Sequence, residues 1–548
     1  MSSTIIRATG TVAFFFNGDS DYQNPFNPSA PLATLSTGSA TITVTDATGL
    51  PSPTDASNYR MARLMFHNEA VTPVVSTQGY SYNRTPSVLV VSRSGTTLTL
   101  SQPLPYNFPN GMTGAYILFG SQFARNLRGM GIEDMTIDGT VAGLMREGVY
   151  FSFVTSSWAK NVKVMGHGTY AIRFSDTVNC EARGCWTDVG TGGGSNFAGL
   201  KLEQSSYFLA EDNILVNNSP TLEVDYSTSF LIFAYNYSGG GEINRNHGPH
   251  NSFNLYEGNV YWFDKTDGYY GGSSEETIFR TYMRGGIVTV QKRFTRNNNV
   301  VGNIVGSIGG SYTTDGSENW GKPNIGNLVS SGTWALSVPS YSVDWNPVTS
   351  APYVWTGNLK TRVDNLNGVF EMDSGMATTF NTALANALGS KRNLSYPNGV
   401  GTSGITVSGV SGNDVTFTVD SITYVLPSAG ELMWIVPGAL GFQELDLDVA
   451  NTAIRKANYY VLTGDIPSGE SLGSDTLPSS YYLSAKPAWF GSISYPAFSP
   501  YAPPASDAAG LVSIPAGWRY INGNSNYLNG NSTATVTNLN VGTIIKAP

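Results

Sequence analysis

The chain has 548 residues, of which 41% are hydrophobic and only 13% are charged, and its formal net charge is −9. This length and apolar content allow a large buried core, which excludes an intrinsically disordered protein. The chain has no run of Lys and Arg longer than two residues, so nucleic acid is excluded as a partner, because phosphate recognition needs clustered positive charge. The two cysteines, Cys180 and Cys185, are too few for a disulfide framework.

The N-terminal region, residues 1–125, contains alternating apolar and polar residues, as in SATITVTDA and SVLVVSRSGTTLTLSQPL. Such alternation, broken by Pro and Gly turns, predicts a β-rich region that caps the body of the protein or attaches it to something else. The opening MSSTIIRATGTVAFFF is not a secretory signal, so a chain that begins here is expected not to use general secretion. No stretch of the sequence approaches the roughly 18 apolar residues of a membrane span.

A short phrase recurs over residues 126–360, in which an apolar residue follows an Asn. We call the position of this Asn the slot. It falls at residues 161, 184, 213, 236, 259, 281, 303, 327 and 358. Two repeats have another residue there, Gly184 and Thr281. The intervals between these positions are 23, 29, 23, 23, 22, 22, 24 and 31 residues. A period of 22–23 residues, lengthened where loops are inserted, predicts the stacked coils of a right-handed parallel β-helix, an all-β fold.

The slot has a structural interpretation. Asn tolerates left-handed backbone at a corner, and its side-chain amide can hydrogen-bond to the next coil. The residue after the slot is apolar in nearly every coil, from Val162 to Leu359, which predicts a continuous core ridge. The slot is therefore predicted to join adjacent coils rather than to bind a ligand.

Two regions follow the coils. Residues 361–450 hold a hairpin-like stretch, ITVSGVSGNDVTFTVDSITYVL, which predicts a small inserted β-rich domain. Residues 451–548 include SYYLSAKPAWFGSISYPAFSPYAPP. This aromatic and Pro-rich composition predicts a segment that packs on the flank of the solenoid.

A candidate site comes from a second strand, which precedes the slot in three consecutive coils. Its sequences are AIRFS (171–175), GLKLE (199–203) and TLEVD (221–225). Their apolar residues alternate inward, which predicts two outward rows: Arg173, Lys201 and Glu223, and Ser175, Glu203 and Asp225. Neighbouring carboxylates repel, so at least one should have a raised pKa. Glu203, Glu223 and Asp225 are therefore candidate catalytic residues.

The next coils add histidines, a further carboxylate and aromatic rings. The additional predicted catalytic residues are His247, His250 and Asp267, and the predicted substrate-binding residues are Arg245, Trp262, Tyr269, Tyr270 and Arg280. His247 and His250 flank a Gly-Pro turn that would place the imidazoles off the strand. Aromatic rings supply the flat surfaces on which sugars stack, so the set is predicted to converge on one carbohydrate-binding face.

The residues leave the chemistry open. A carboxylate pair could hydrolyse a glycosidic bond, and the separation of the pair would decide between retention and inversion. Alternatively, His, Arg or Lys could abstract the proton α to a uronate carboxyl, and the acidic cluster could then hold Ca²⁺. No calcium-loop motif occurs in the sequence, so no cofactor is predicted. A third interpretation is a solvated acidic face balanced by Arg173 and Lys201.

Several stretches resemble a known group of proteins. NHGPHNSFNLYEGN, DGYYG…TIFR, LPSSYYLSAKPAWFGS and IPAGWRYING resemble largely uncharacterised right-handed β-helix proteins of the pectate-lyase-like superfamily, from bacteria and bacteriophages. The resemblance covers residues 125–360 and 455–525 and implies the fold, without catalytic residues to carry over. Within that superfamily, a chain rich in Gly, Tyr and Asn and without a signal peptide resembles a phage tailspike or tail fibre.

The tailspike resemblance implies a homotrimer in the virion tail, assembled with other tail proteins, that binds and often cleaves bacterial surface polysaccharide. Two alternatives remain at this point. One is a non-catalytic virion structural protein or adhesin. The other is a secreted, extracellular bacterial polysaccharide lyase or hydrolase.

Overall fold

The computed structural model describes most of the chain outside its longer connecting segments. The described residues are 4–8, 11–18, 26–29, 36–47, 62–68, 87–104, 115–119, 127–140, 145–189, 197–239, 241–245, 247–248, 251–265, 273–284, 297–306, 308, 332–336, 353–357, 369–372, 406–411, 414–419, 422–426, 430–433, 454–461, 464–466 and 470–522.

Two long sheets, in which every strand pairing is parallel, form the body. Sheet A contains Thr4–Arg7, Gly131–Asp138, Trp158–Met165, Glu181–Arg183, Trp186–Asp188, Ser206–Glu211, Ile214–Val216, Ser229–Ala234, Tyr237–Ser238, Asn251–Ser252, Leu255–Glu257, Val260–Tyr261, Ser273–Ser274, Thr277–Phe279, Tyr282–Met283, Asn299–Val301, Ile304–Val305, Ile454–Lys456 and Tyr459–Tyr460. Sheet B contains Val12–Asn17, Met145–Ser152, His167–Ser175, Ala198–Glu203, Leu222–Asp225, Glu242–Asn244 and Phe263–Lys265.

The register of these sheets gives the period of the coils. Leu209 pairs with Ile232, Ile232 with Leu255, and Leu255 with Thr277, at separations of 23, 23 and 22 residues. The core between the sheets is filled by inward side chains, including the stacked rings of Phe151 and Phe174, whose centroids are 4.4 Å apart. The chain is therefore a parallel β-helix, as the slot period predicted.

The first coil is built by the first residues of the chain. Thr4–Arg7 pairs with Gly131–Asp138, and Val12–Asn17 pairs with Met145–Ser152. The sequence predicted a solenoid body that starts at residue 126, because these two strands lack the slot. Leu127–Arg128 and Val154–Thr155 form a further short parallel pair.

An antiparallel sheet of six strands lies between these first strands and the later coils in sequence. Its strands are Phe26–Ser29, Thr41–Thr43, Ala62–Asn68, Ser87–Ser94, Thr97–Leu100 and Ala115–Phe119. The amide of Ser87 donates to Ser206 Oγ at 3.0 Å, and Val88 is buried in the same apolar cluster as Tyr207. This sheet is thus packed against the solenoid.

The slot Asn residues form the predicted ladder between coils. Asn213 Nδ2 donates to Asn236 Oδ1 at 2.8 Å, Asn236 Nδ2 to Asn259 Oδ1 at 3.1 Å, and Asn303 Nδ2 to Asn458 Oδ1 at 2.9 Å. The rung next to Asn303 is therefore Asn458, whereas Asn327 and Asn358, the slots that the spacing predicted next, lie outside the described residues. Accordingly Ile304 pairs directly with Tyr459, which makes the intervening chain an insertion between adjacent coils.

Asn161 has the predicted left-handed backbone, with φ 52°, but in the later coils the corner residue is one position earlier than predicted. Left-handed backbone occurs at Asp212 (φ 58°) and Tyr235 (φ 55°), just before the slot Asn residues. The amide of Cys185 donates to Asn213 Oδ1, which aligns Cys185, rather than Gly184, with the ladder. Gly184, with φ 64°, is the corner residue of its coil. Here the sequence alignment of the slot was wrong by one residue.

The apolar residues that follow the slot also differ from expectation. From Ile214 to Ile304 they stack as predicted, but the ridge they form packs against a C-terminal segment and not into the interior of the coils. This segment, residues 470–522, is called the tail. It contains a 3₁₀ turn at Ala488–Phe490, helix α1 at Asp507–Leu511 and helix α2 at Pro515–Ile521.

The described parts of the insertion contain antiparallel strands. They are the pair Gly332–Leu336 and Tyr353–Gly357, the pair Val369–Met372 and Gly430–Met433, and the three strands Thr406–Ser411, Asp414–Val419 and Ile422–Leu426. The division of the chain at residues 125, 360 and 450 stays a prediction. Within the described ranges, no helix has the length and apolarity needed to cross a bilayer.

Candidate functional site

The outer face of sheet B carries the two predicted rows of polar side chains. Arg173 and Lys201 occupy paired positions on adjacent strands, and so do Lys201 and Glu223. In the neighbouring row, Glu203 pairs with Asp225. Glu203 and Asp225 are therefore nearest neighbours on adjacent coils, so the predicted register is confirmed.

Two cations hold four carboxylates of this face together. Arg173 Nη2 lies 2.8 Å from Glu203 Oε2, and Arg173 Nη1 lies 3.3 Å from Glu147 Oε1. Lys201 Nζ contacts both Glu223 Oε1 and Asp225 Oδ2. Each cation thus bridges two carboxylates, and the cluster has two more acidic than basic groups. We call these six side chains the sheet B cluster.

Burial divides the cluster into an inner and an outer part. The residues of the inner part, Lys201, Glu223 and Asp225, are 4%, 6% and 2% exposed. The side chains of Arg173 and Glu203 keep 20% and 22% of their surface exposed. A ligand on this face therefore meets Arg173 and Glu203 first.

Burial raises the pKa of Asp225 to about 7, and the nearby charges of Glu223 and Glu203 act in the same direction. Lys201 and His247 oppose the rise by favouring the ionised carboxylate. Burial opposes the charge on Lys201, but Asp225 and Glu223 together raise the pKa of its ammonium group above the ordinary value. The prediction that at least one carboxyl of the group has a raised pKa is confirmed.

Aromatic rings continue the outer row towards the N-terminal end of the solenoid. The ring of Phe15, which is 51% exposed, stacks on that of Tyr150 with centroids 4.8 Å apart and planes 12° apart. The guanidinium carbon of Arg173 lies 4.4 Å from the Tyr150 centroid and 5.3 Å from that of Tyr170. Lys201 Nζ lies 5.4 Å from the Tyr170 centroid. These contacts are within the range of cation–π attraction.

Sequence reasoning missed these rings. Phe15 and Tyr150 pair directly, and Tyr150 pairs with Arg173, so a register extended upstream from Arg173 would have reached both. The signal was the outward position of each ring in an alternating strand, VAFFFN and MREGVYFS.

Of the predicted histidines and acidic residues downstream, one joins the cluster in the described part of the chain. The amide of His247 donates to the carbonyl of Val224 at 2.9 Å, beside Asp225, and its Nδ1 lies 3.4 Å from Asn244 Nδ2. His250, Asp267, Tyr269 and Tyr270 lie outside the described residues, and their roles stay predictions.

Three predicted substrate-binding residues are placed elsewhere. Arg245 is fully buried and pairs with the equally buried Glu276. Arg280 lies under the tail, where its guanidinium donates to main-chain carbonyls of Pro478, Leu477 and Phe498. Trp262 is partly buried with its ring 5.7 Å from the guanidinium carbon of Arg284. The structure therefore does not bring these three to the sheet B cluster, and neither Arg245 nor Arg280 has its guanidinium open to a ligand.

The calcium ion considered for elimination chemistry stays untested. Among the described residues there is no group of three or more His, Cys, Asp or Glu side chains arranged to hold a metal. Lys201 Nζ lies between Glu223 and Asp225, so in this arrangement an ammonium group already supplies the positive charge.

Comparison with known proteins gives only distant similarities. No family model matches the chain, and no curated protein does. The tailspike gp49 from Pseudomonas phage LKA1 is similar with a TM-score of 0.40 and 13% identity, covering 55% of this chain and 50% of that chain. The gp54 tailspike of Acinetobacter baumannii bacteriophage AP22, in complex with a capsular saccharide, has a TM-score of 0.28 and 12% identity, covering 56% and 59%.

A third similar structure is the catalytic domain of a GH87 α-1,3-glucanase, with a TM-score of 0.18 and 10% identity, covering 51% of this chain and 82% of that domain. The chain spans about half the length of the first of these proteins. The register defines an all-β solenoid that carries a cluster of paired charges and stacked aromatic rings on one outer face.

Proposed function

We propose that this chain is a tailspike-like protein that binds bacterial surface polysaccharide along the outer face of sheet B. The observation that carries the proposal is the continuous row formed by Phe15, Tyr150, Arg173 and Lys201 on successive coils. Its exposed end is an aromatic stack, and its centre holds charged hydrogen-bonding groups. Flat rings beside a few convergent polar groups are the combination that binds sugars.

The direction of the row matches a polymeric ligand. Successive members of the row lie on adjacent strands, which are about 4.8 Å apart, so the row runs across the strands and along the solenoid. A glycan chain lying along it would meet an aromatic ring at one end and Glu203 further on. The homotrimer, the virion tail location and the tail-protein partners belong to this proposal through the sequence resemblance alone.

Hydrolysis is the second candidate function, and the Glu203–Asp225 pair favours it. The two carboxyl groups belong to directly paired residues, and burial raises the pKa of Asp225 to about 7. A protonated Asp225 could donate to the leaving oxygen, while the more exposed Glu203 acts as nucleophile or base. Two carboxyl groups in unlike environments are the arrangement that glycosidases use for these roles.

Elimination is less favoured by the same geometry. A lyase needs an unprotonated base, but the surrounding carboxylates raise the pKa of the Arg173 guanidinium and of the Lys201 ammonium group against the effect of burial. Both groups are therefore held in the charged form. Among the described residues beside the cluster, this leaves His247 as the candidate base.

The test is incubation with a panel of purified capsular and O-antigen polysaccharides, in which binding, new reducing ends and the absorbance of unsaturated uronates are measured together. We expect at least one glycan to bind, and Y150A to weaken that binding by about tenfold through loss of stacking area. R146A is the matched control, since Arg146 lies on the same strand, is exposed and is not part of the cluster. No binding to any glycan would reject the proposal.

E203Q separates binding from cleavage. If the pair is hydrolytic, this variant retains binding and loses product by about a hundredfold or more. Binding by the unaltered protein without any product would assign the face to adhesion alone.

A further inference from the structure

A tryptophan on sheet A lies flat against the strand beneath it. Gly131 and Trp158 are paired residues on adjacent strands. A methyl group added at Gly131 would come within 2.2 Å of Trp158 Cε2 and 2.4 Å of Nε1, so the indole occupies the space that a side chain would fill. The absence of a side chain at Gly131 therefore allows the indole to lie along the surface of the sheet.

A carboxylate fixes the orientation of this indole. Trp158 Nε1 donates to Glu133 Oε1 at 2.5 Å. Glu133 is exposed and is located on the same strand as Gly131, two residues further on. The ring is thus held from below by Gly131 and at its edge by Glu133, while Trp158 keeps part of its surface exposed.

Trp158 belongs to a row of outward side chains at paired positions on successive strands of sheet A. Its place in this row leaves the indole uncovered by the tail. The row continues through Glu181 to Leu209 and Ile232. Leu209 and Ile232 are buried in the apolar cluster that includes tail residues, whereas Trp158 and Glu181 are only partly buried. The outward row therefore changes from an apolar, covered surface to a polar, open one between Glu181 and Leu209.

The strand positions near Trp158 carry charges of both signs. Lys160 pairs with Glu133 on one side and with Arg183 on the other, and Glu181 pairs with Trp158. Two cations and two carboxylates thus occupy strand positions at or next to those paired with Trp158. They can offer hydrogen bonds to hydroxyl groups without attracting a strongly charged ligand.

We propose that Trp158, Gly131 and Glu133 form a second carbohydrate-binding site, which takes a neutral pyranose ring on the free face of the indole. The C–H face of the sugar would stack on the ring, and its hydroxyl groups would reach Glu133 and Lys160. This site is on sheet A, whereas the sheet B cluster is on the other sheet. It does not require that cluster to bind or cleave anything.

The test uses the full chain labelled with 5-fluorotryptophan and observed by fluorine NMR, with W158F identifying the Trp158 signal. Maltohexaose, cellohexaose and chitohexaose are titrated separately. We expect at least one to shift the Trp158 signal saturably, while the signal of Trp518, which is 41% exposed on helix α2, stays in place. If none of the three shifts the Trp158 signal, the proposal is overturned.

Two variants test the geometry. W158A should weaken binding of the active oligosaccharide by at least about tenfold through loss of stacking area. G131A should weaken it similarly while leaving thermal stability near that of the unaltered protein, because the added methyl group displaces the indole without removing it. W518A is the matched control and should bind normally.

The outcome is also separable from that of the sheet B proposal. E203Q should leave the Trp158 titration unchanged, whatever it does to polysaccharide cleavage. Wild-type affinity in both W158A and G131A would show that the indole only covers the strand and would reject the site.

Discussion

The outer face of sheet B and the tail-covered flank of sheet A both bury charged side chains, but they pair these charges differently. On sheet B, Lys201 contacts Glu223 and Asp225, which follow it by 22 and 24 residues on the next coil. On sheet A, Glu257 accepts from the amide of Tyr481, 224 residues later, at 2.8 Å. Contacts of the first kind join neighbouring coils, whereas contacts of the second kind form only when the tail packs on the solenoid.

This difference separates a face that is organised by the solenoid itself from one that is completed by a distant segment. On the sheet A flank, Arg519 of helix α2 donates to both carboxylate oxygens of Asp212, at 3.0 and 2.8 Å. Tyr482 donates to Glu211 Oε1 at 2.7 Å. The tail therefore adds partners to those that Arg183 and Tyr235 supply from the coils, and the polar groups of this flank help to attach it. On sheet B, the exposed ends of the cluster remain open to a ligand.

The largest effect is expected at Lys201. K201M leaves the carboxyl groups of Glu223 and Asp225 buried without their shared cation, which should cost about 3–5 kcal/mol in free energy of unfolding. The triple variant K201M/E223Q/D225N removes the charges together and should recover most of this loss. Urea denaturation followed by far-UV circular dichroism measures both. If K201M unfolded at a urea concentration close to that of the unaltered protein, water would be reaching the carboxyl groups of Glu223 and Asp225.

The second prediction concerns Glu257 on the flank. Burial raises the pKa of its carboxyl group to about 7 from the ordinary value of 4.5. The folded state therefore binds a proton more tightly than the unfolded state, so the contribution to stability is complete below pH 4.5 and is lost as the pH rises to about 7. Over that window the loss amounts to about 3 kcal/mol.

E257Q should remove this pH dependence, and its one amide oxygen can still accept either from the Tyr481 amide or from the Tyr235 hydroxyl. Stability is measured by urea denaturation between pH 4.5 and pH 7.5 for both proteins. His167 is buried, and burial lowers its pKa to about 4. Its contribution to the stability of the protein therefore depends on pH with the opposite sign and is lost as the pH falls below 6.5. It is present in both proteins and cancels in their difference. If the free energy of unfolding changed equally with pH in the two proteins, the tail would not shield the Glu257 carboxyl group from water.

Arg280 tests the attachment of the tail at a smaller expected cost. R280M removes donors to the carbonyls of Pro478 and Phe498, at 2.8 and 2.5 Å, and should cost about 2 kcal/mol. Local release of the tail should accelerate chymotrypsin cleavage after the exposed Tyr481. R146M, which replaces an exposed Arg outside the cluster, should leave the cleavage rate unchanged. An unchanged rate in R280M as well would show that other contacts hold the tail in place.

The two faces also show how far the sequence could predict this molecule. The sheet B rows of Arg173 and Glu203 were predicted at the right register because the alternation of each strand and the coil period are both local patterns. Arg245 and Arg280 were predicted to face a ligand because they lie in the coils that follow the acidic rows. Their burial depends on Glu276, one coil away, and on a tail that returns after about 200 residues. No periodic pattern reports such contacts.

The smallest effect on stability is expected at the exposed end of the sheet B row. Phe15 is 51% exposed, so F15A should change the free energy of unfolding by less than about 0.5 kcal/mol. Tyr237, on the covered flank, is 3% exposed and stacks on Tyr520 with centroids 4.8 Å apart, so Y237A should cost about 3 kcal/mol. The same kind of substitution therefore distinguishes an open face from a covered one.

The affinity of F15A for a glycan tests whether the sheet B row binds polysaccharide. If the sheet B row binds polysaccharide, F15A should weaken the affinity for the active glycan by about tenfold, because a stacking surface is lost without a change in the fold. Surface plasmon resonance with the immobilised glycan measures this change. A large loss of stability in F15A would show instead that Phe15 is covered by another part of the chain or by a partner, and that the row is a second attachment surface.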